Sequence, residues 1–223
     1  IYSKGYYDSE KNSCATILEF DENNHLKDVL VDTQISGECN MWLEMFIISR
    51  DFLKKIVFEA ASRNQSSFTR EILQGRKDEY KIMGYEHKGI FTRIDSVQSY
   101  YNANQMLLET EKRNALFVKN MPIYTKIGDN GPVKYGLDSS IKNSLIADGC
   151  VIEGTVENSI LFRGVKVGKG TVVKNCVLLQ GTKVGSNCSI SYVITDKNVE
   201  VSNDKVLTGS ETYPLYIGKE GKI

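Results

Sequence analysis

Two histidines, His25 and His87, are the only side chains of this 223-residue chain whose unperturbed pKa suits proton transfer near neutrality. His25 lies in a polar turn, where a solvated surface residue is expected, and His87 in a loop, from which it could approach a ligand. Five cysteines (Cys14, Cys39, Cys150, Cys176, Cys188) offer a second kind of chemistry. They contain no C-x-x-C pair and their number is odd, so buried thiols are expected rather than a zinc site or a complete disulfide framework. The basic residues Arg163, Lys166, Lys169, Lys174 and Lys183 could hold a small phosphorylated effector or form a solvated face. No G-x-G-x-x-G, P-loop or H-E-x-x-H motif is present, so no recognisable loop cradles a triphosphate.

The elements that must position these residues are of two kinds. From Ile141 to about Val201 an aliphatic residue returns every five or six positions: Leu145, Val151, Val156, Leu161, Val167, Val173, Leu179, Val184 and Ile190. That spacing fits neither a helix nor a simple alternating strand, and a hexapeptide period predicts a parallel β-helix. Gly149, Gly154, Gly164, Gly168, Gly170, Gly181, Gly185, Asn175 and Asn187 are expected at its corners, where φ can be positive. Such rods commonly carry acyl transfer, in which a histidine in or beside the coil accepts the proton. No histidine follows His87, so an acyltransferase is disfavoured.

Before the repeat the pattern is α/β. Cys14–Phe20 and Leu26–Val31 read as a hairpin, and Trp42–Ile48 as a buried strand. Ser49 caps a helix with Phe52, Leu53, Ile56, Val57 and Ala60 on one face. A second helix follows Ser66 or Ser67 and ends at Gly75. Tyr80–Tyr85 and Ile90–Ile94 read as strands, and Asp95 as the cap of a helix reaching about Arg113. Residues 1–113 thus form an α/β part with a mixed sheet, 114–136 a Pro/Gly linker, and 137–223 the β-helix, with Val206–Ile217 as a capping strand or tail. The chain opens at Ile1 inside a strand-like run, from which a missing N-terminal part is expected.

Lys plus Arg and Asp plus Glu number 28 each, so no net field favours a polyanion. No apolar run approaches the roughly 20 residues of a bilayer span, and no signal segment opens the chain. A cytoplasmic protein that binds neither nucleic acid nor membrane is expected.

The order of these parts, with the stretch GYEHKGIFTRIDSVQSYYNANQMLL and the run SLIADGCVIEGTVENSILFRGVKVGKGTVVKNCVLLQGT, closely resembles the glucose-1-phosphate adenylyltransferase family. The resemblance covers the latter part of a nucleotidyltransferase domain and a C-terminal left-handed β-helix. It implies a full-length relative that transfers AMP from ATP to glucose 1-phosphate with Mg²⁺, in glycogen synthesis.

Departures from the family pattern fall on its functional positions. Where catalytic members read Y-W-x-D-V-G-T, with the Asp on the metal, this chain has Phe91 for Trp, Arg93 for Asp, Asp95 for Gly and Ser96 for Thr. A fixed positive charge about 4 Å from Mg²⁺ costs on the order of 8 kcal/mol at an effective dielectric of 20, before screening and side-chain movement. Arg also offers none of the oxygen ligands that Mg²⁺ needs. Where the sugar-phosphate wall reads S-M-G-I-Y, this chain has Trp42, Leu43, Glu44, Met45 and Phe46, which fill space and add a like charge. The family's E-K-P motif is absent after Glu19, and so is the glycine-rich nucleotide loop.

A non-catalytic regulatory subunit is therefore expected, with degenerate sugar-phosphate positions Trp42, Leu43 and Glu44, a degenerate metal position Arg93, and no metal of its own. Candidate effector contacts are Arg163, Lys166 and Lys169. A catalytic adenylyltransferase subunit, a homo-oligomer, or both are the expected partners. The alternatives are an active nucleotidyltransferase when full length, and a scaffold of the exchange-factor kind.

Overall fold

Apolar residues on alternate positions of four short runs in the first ninety residues build a sheet with two different faces. In the computed structural model, which describes residues 1–8, 15–125 and 128–223, the chain forms two compact units, Ile1–Phe91 and Thr92–Ile223.

The first unit holds β1 (Tyr2–Asp8), β2 (Thr16–Phe20), β3 (Leu26–Val31) and β4 (Ser36–Trp42) in the order β1-β4-β2-β3, each antiparallel to its neighbour. A parallel bridge from Tyr2 to Glu86 makes that edge mixed. The β2–β3 hairpin turns where the sequence predicts, over Asp21, whose Oδ1 accepts the N–H groups of Asn23 and His25 at 2.9 Å each. The Cys14 end of the expected strand lies outside the described residues. One face packs Tyr2, Leu18 and Val29 against Leu73, and the other packs Tyr7, Ala15 and Ile17.

The strand expected over Trp42–Ile48 is not formed. The Leu43 N–H still donates to the Ile1 carbonyl at 3.1 Å. Glu44 then adopts φ 57°, which takes the backbone out of the extended region. Ile47 beyond it is 92% exposed. Ser49 does cap a helix, α1 (Arg50–Ser62), but only Ile56 of its expected face is buried and Val57 points outward. A π-helical turn, Phe68–Gln74, follows the cap Ser67 and buries Ile72 and Leu73. The Arg76 guanidinium, 4% exposed, donates to Glu59 Oε2 (2.9 Å), Gln65 Oε1 (2.7 Å) and the Tyr80 hydroxyl (3.2 Å), tying this turn to α1. Of the two strands expected next, Tyr80–Tyr85 is reduced to an isolated bridge at Met83, and Ile90–Ile94 forms none.

In the second unit α2 (Val97–Met106) is capped by Ser96 rather than Asp95, through reciprocal bonds with Ser99. The single helix expected to reach Arg113 is broken at Leu107. Arg113 donates to the freed Leu107 carbonyl (2.9 Å) from α3 (Thr110–Leu116).

From Lys134 onward three parallel five-stranded sheets wrap a common core. One face stacks Lys134–Tyr135, Val151–Ile152, Lys166–Val167, Lys183–Val184 and Glu200–Val201. The second stacks Ser140–Lys142, Thr155–Glu157, Val172–Lys174, Ser189–Ser191 and Val206–Thr208. The third stacks Leu145–Ile146, Ile160–Leu161, Val177–Leu178, Val193–Thr195 and Leu215–Ile217. The expected C-terminal tail thus supplies real strands of the last coil.

Six of the nine predicted inward residues are buried. Leu145, Val151 and Leu179 are corrected by one position: Ile146 and Ile152 turn toward the core and Leu178 is fully buried there. A one-residue slip reverses a strand residue's face. The corners also differ in kind from expectation. Gly149, Gly164 and Gly181 do have positive φ, whereas Gly154 is a glycine for lack of room, a Cβ there lying 2.3 Å from the Thr171 carbonyl oxygen. The third face is covered by α2: Tyr101 packs on Val177 and Ile194, and its hydroxyl donates to the Asn175 carbonyl at 3.0 Å.

Two outcomes follow for stability. Leu161→Ala, at a fully buried site, is expected to lower unfolding free energy by about 2–5 kcal/mol and Leu145→Ala by about 1 kcal/mol or less, as read by urea denaturation. Burial pushes the Cys176 thiol up to about 12 from its ordinary 9.0 and raises the Tyr101 phenol from 10.0. Both acids are neutral when protonated. The unfolded chain loses these protons first, so stability is expected to fall as pH rises above about 9. Tyr101→Phe should flatten the upper part of that decline.

Candidate functional site

At the end of β4 the backbone delivers Trp42 to the wall of an open apolar cavity of about 480 Å³ within the first unit. Its other walls come from α1 (Phe52), the π-helical turn (Phe68), the segment after β4 (Phe46), and Tyr80 and Met83 beyond the turn. Phe46 and Phe68 stack with ring centroids 4.6 Å apart, and Phe52 meets Tyr80 edge-on at 5.0 Å. Lys81 is the one charged residue among the lining. An aromatic and aliphatic wall of this kind binds apolar surface and offers a phosphate little.

The sequence groups Trp42, Leu43 and Glu44 as the altered sugar-phosphate wall. Only Trp42 lines the cavity; Glu44 is exposed and adopts φ 57°, which turns the chain away from the strand direction. Sequence reasoning missed Phe52 and Phe68 as wall residues, although their inward helical spacing marks them as core.

Arg93 belongs to the second unit, where its Nε lies 3.3 Å from Asp95 Oδ2. A guanidinium therefore engages the carboxylate beside the position at which the family resemblance implies a metal ligand. The donor set does not fit that ion, which needs several oxygen ligands at short range. Among the described residues no group of three or more His, Cys, Asp and Glu side chains is placed to hold a metal.

Of the candidate effector contacts, Arg163 places its Nε 3.2 Å from Asp148 Oδ1. Asn130 also donates to Asp148, at 2.8 Å, and the two partners, Asn130 foremost, hold that carboxyl below its ordinary value. Lys166 lies exposed on the first face in register with Lys183, whose Nζ is 2.7 Å from Glu200. Lys169 is exposed in the next corner, and Lys174 pairs with Glu157 at 3.1 Å. Of the two histidines, His25 has Nδ1 3.6 Å from Asp21 Oδ2, and His87 has Nε2 3.4 Å from the Ile90 carbonyl oxygen. No described helix is long and apolar enough to cross a membrane.

Trp42 is the only tryptophan, which makes the cavity directly observable. An apolar naphthalenesulfonate dye is expected to bind there and quench Trp42 emission, whereas glucose 1-phosphate should leave the emission unchanged. Saturable quenching by the sugar phosphate alone would contradict this chemistry of the walls.

Comparison with known proteins agrees with this architecture. Residues 133–212 match the family described as GlmU-like, C-terminal hexapeptide. The chain is 41% identical over 177 residues to the glycogen biosynthesis protein GlgD of Bacillus subtilis strain 168, covering 79% of this chain and 51% of that protein. It is 38% identical over 116 residues to the protein of the same name from Geobacillus stearothermophilus, covering 41% and 34%. It is 31% identical over 168 residues to a glucose-1-phosphate adenylyltransferase of Mycoplasma mobile, covering 74% and 44%. The chain spans about half the length or less of these relatives. By sequence, then, it belongs to the family of GlgD and the glucose-1-phosphate adenylyltransferases, matched along most of its own length.

Proposed function

We propose that the chain is part of a cytoplasmic glycogen-biosynthesis protein, related to ADP-glucose pyrophosphorylase, that serves as a regulatory and structural subunit and makes no ADP-glucose itself. The observation that carries this reading is the Arg93–Asp95 pair, a cation where the resemblance puts a metal-binding carboxylate. Trp42 supports it, since an aromatic ring walls the cavity where the family pattern has a small hydroxyl residue. The higher identity to proteins named for glycogen biosynthesis than to the adenylyltransferase supports it as well.

On this reading the partner is a catalytic adenylyltransferase subunit, and the solenoid supplies contact surface rather than chemistry. Coexpression of the full-length protein with the adenylyltransferase of the same cell provides the test. A stable hetero-oligomer by native mass measurement, with activity or effector response altered relative to the catalytic subunit alone, is the expected result. Separate homo-oligomers with unchanged kinetics would overturn the reading.

A further inference from the structure

The second unit contains a polar cleft that the proposed role does not use. Its volume is about 440 Å³, within the roughly 300–1,000 Å³ typical of small-molecule sites. One wall is the C-terminal half of α2, with Tyr101, Asn102 and Gln105, and Glu109 follows it. The other is a corner of the solenoid at Tyr192, with Glu211 nearby. All of these residues lie within Thr92–Ile223.

Two independent features mark this cleft. Gln105 Nε2 is buried and has no hydrogen-bond partner among the described residues. A buried amide donor is ordinarily satisfied, and one left open on a cleft wall is suited to an acceptor brought by a ligand. The second feature is Tyr192. It adopts φ 54° at the corner where the three preceding coils place Asn143, Asn158 and Asn175, all with positive φ. Asparagine tolerates that backbone and a bulky aromatic does so poorly, so local structure alone favours Asn here. The tyrosine instead sets an aromatic ring against the cleft, 6.4 Å from that of Tyr101 and tilted by 51°.

The polar groups define the ligand's chemistry. Asn102 Oδ1 accepts from Gln98 Nε2 at 2.8 Å, which leaves the Asn102 amide as a donor beside that of Gln105. Glu109 and Glu211 bring carboxylates, and the only lysine of the lining, Lys112, is paired with Glu109 at 2.8 Å. Carboxylates disfavour a phosphate, and with Glu109 paired to Lys112 and no group of three or more His, Cys, Asp and Glu side chains placed together among the described residues, the cleft lacks the ligand set of a metal cation. Donors, acceptors and an aromatic ring together suit hydroxyl groups on a ring with apolar C–H faces.

We propose that this cleft binds a neutral carbohydrate, a glucosyl unit or short oligosaccharide lying against Tyr192 and accepting from Gln105. The proposal does not rest on the regulatory reading above. Titration of the ¹⁵N-labelled chain with maltotriose tests it, with glucose 1-phosphate as the charged control. Saturable amide shifts confined to the surroundings of Asn102, Gln105, Asn175 and Tyr192 are expected, with glucose 1-phosphate weaker. Tyr192→Asn restores the residue found in the preceding coils and should fold at least as well. It and Gln105→Leu should each weaken maltotriose by about tenfold or more. Absence of shifts at tens of millimolar sugar, shifts centred elsewhere, tighter binding of glucose 1-phosphate, or undiminished binding by either folded variant would overturn the proposal.

Discussion

A coil that carries three short strands in fifteen to seventeen residues, or twenty-two in the last, must bend sharply between them, and nearly every such bend among the described residues passes through a residue with positive φ. The rest of the second unit depends on those bends. Gly149, Gly164, Gly181 and Asn198 stack at one corner, Gly170, Asn187 and Asp204 at another, and Asn143, Asn158, Asn175 and Tyr192 at the third. Glycine, asparagine and aspartate reach this backbone region at low cost, which is why the repeat is rich in them. Side chains lock some of the corners, as where Asn143 donates to Asn158 Oδ1 at 2.8 Å.

The corners also set which residue enters the core. Three positions beyond each positive-φ corner lies an inward side chain: Ile152 after Gly149, Leu161 after Asn158, Val173 after Gly170, Leu178 after Asn175 and Ile190 after Asn187. Each is fully or almost fully buried, and stacking the coils removes from water side chains that no single coil could cover. Buried hydroxyls and thiols finish the interior. Thr171 donates to the Gly185 carbonyl (2.6 Å) and accepts the Cys188 N–H (3.0 Å), so small polar side chains meet backbone groups that the strands leave unpaired.

This rule explains what was legible in the sequence. The hexapeptide period and six inward residues could be read from aliphatic spacing alone. Leu145, Val151 and Leu179 were misplaced because each adjoins a second aliphatic residue, and hydrophobicity cannot choose between neighbours on opposite faces. Counting from the corner asparagines and glycines selects Ile146, Ile152 and Leu178. In the first unit the hairpin and the caps Ser49 and Ser67 were legible because they are local. The strand expected over Trp42–Ile48 was not, since an apolar run does not reveal that Glu44 takes a positive φ and breaks the extended backbone. The aromatic cavity was half legible. Trp42 stood out as a substitution at a family position, while Phe52 and Phe68 read as ordinary core.

The proposed role turns on which groups occupy the positions where the family resemblance implies chemistry. Trp42 walls an aromatic cavity, and Arg93 is bound to Asp95. The Trp42 wall is apolar, the Asp95 carboxylate faces a guanidinium, and among the described residues no group of three or more His, Cys, Asp and Glu side chains is placed to hold a divalent cation. The most direct test is the formation of ADP-glucose from ATP and glucose 1-phosphate by the purified full-length protein alone, with Mg²⁺, followed by product chromatography. The account predicts no product above a no-protein control. Turnover at the rate of ordinary enzymes, on the order of 1 s⁻¹ or faster, would contradict it.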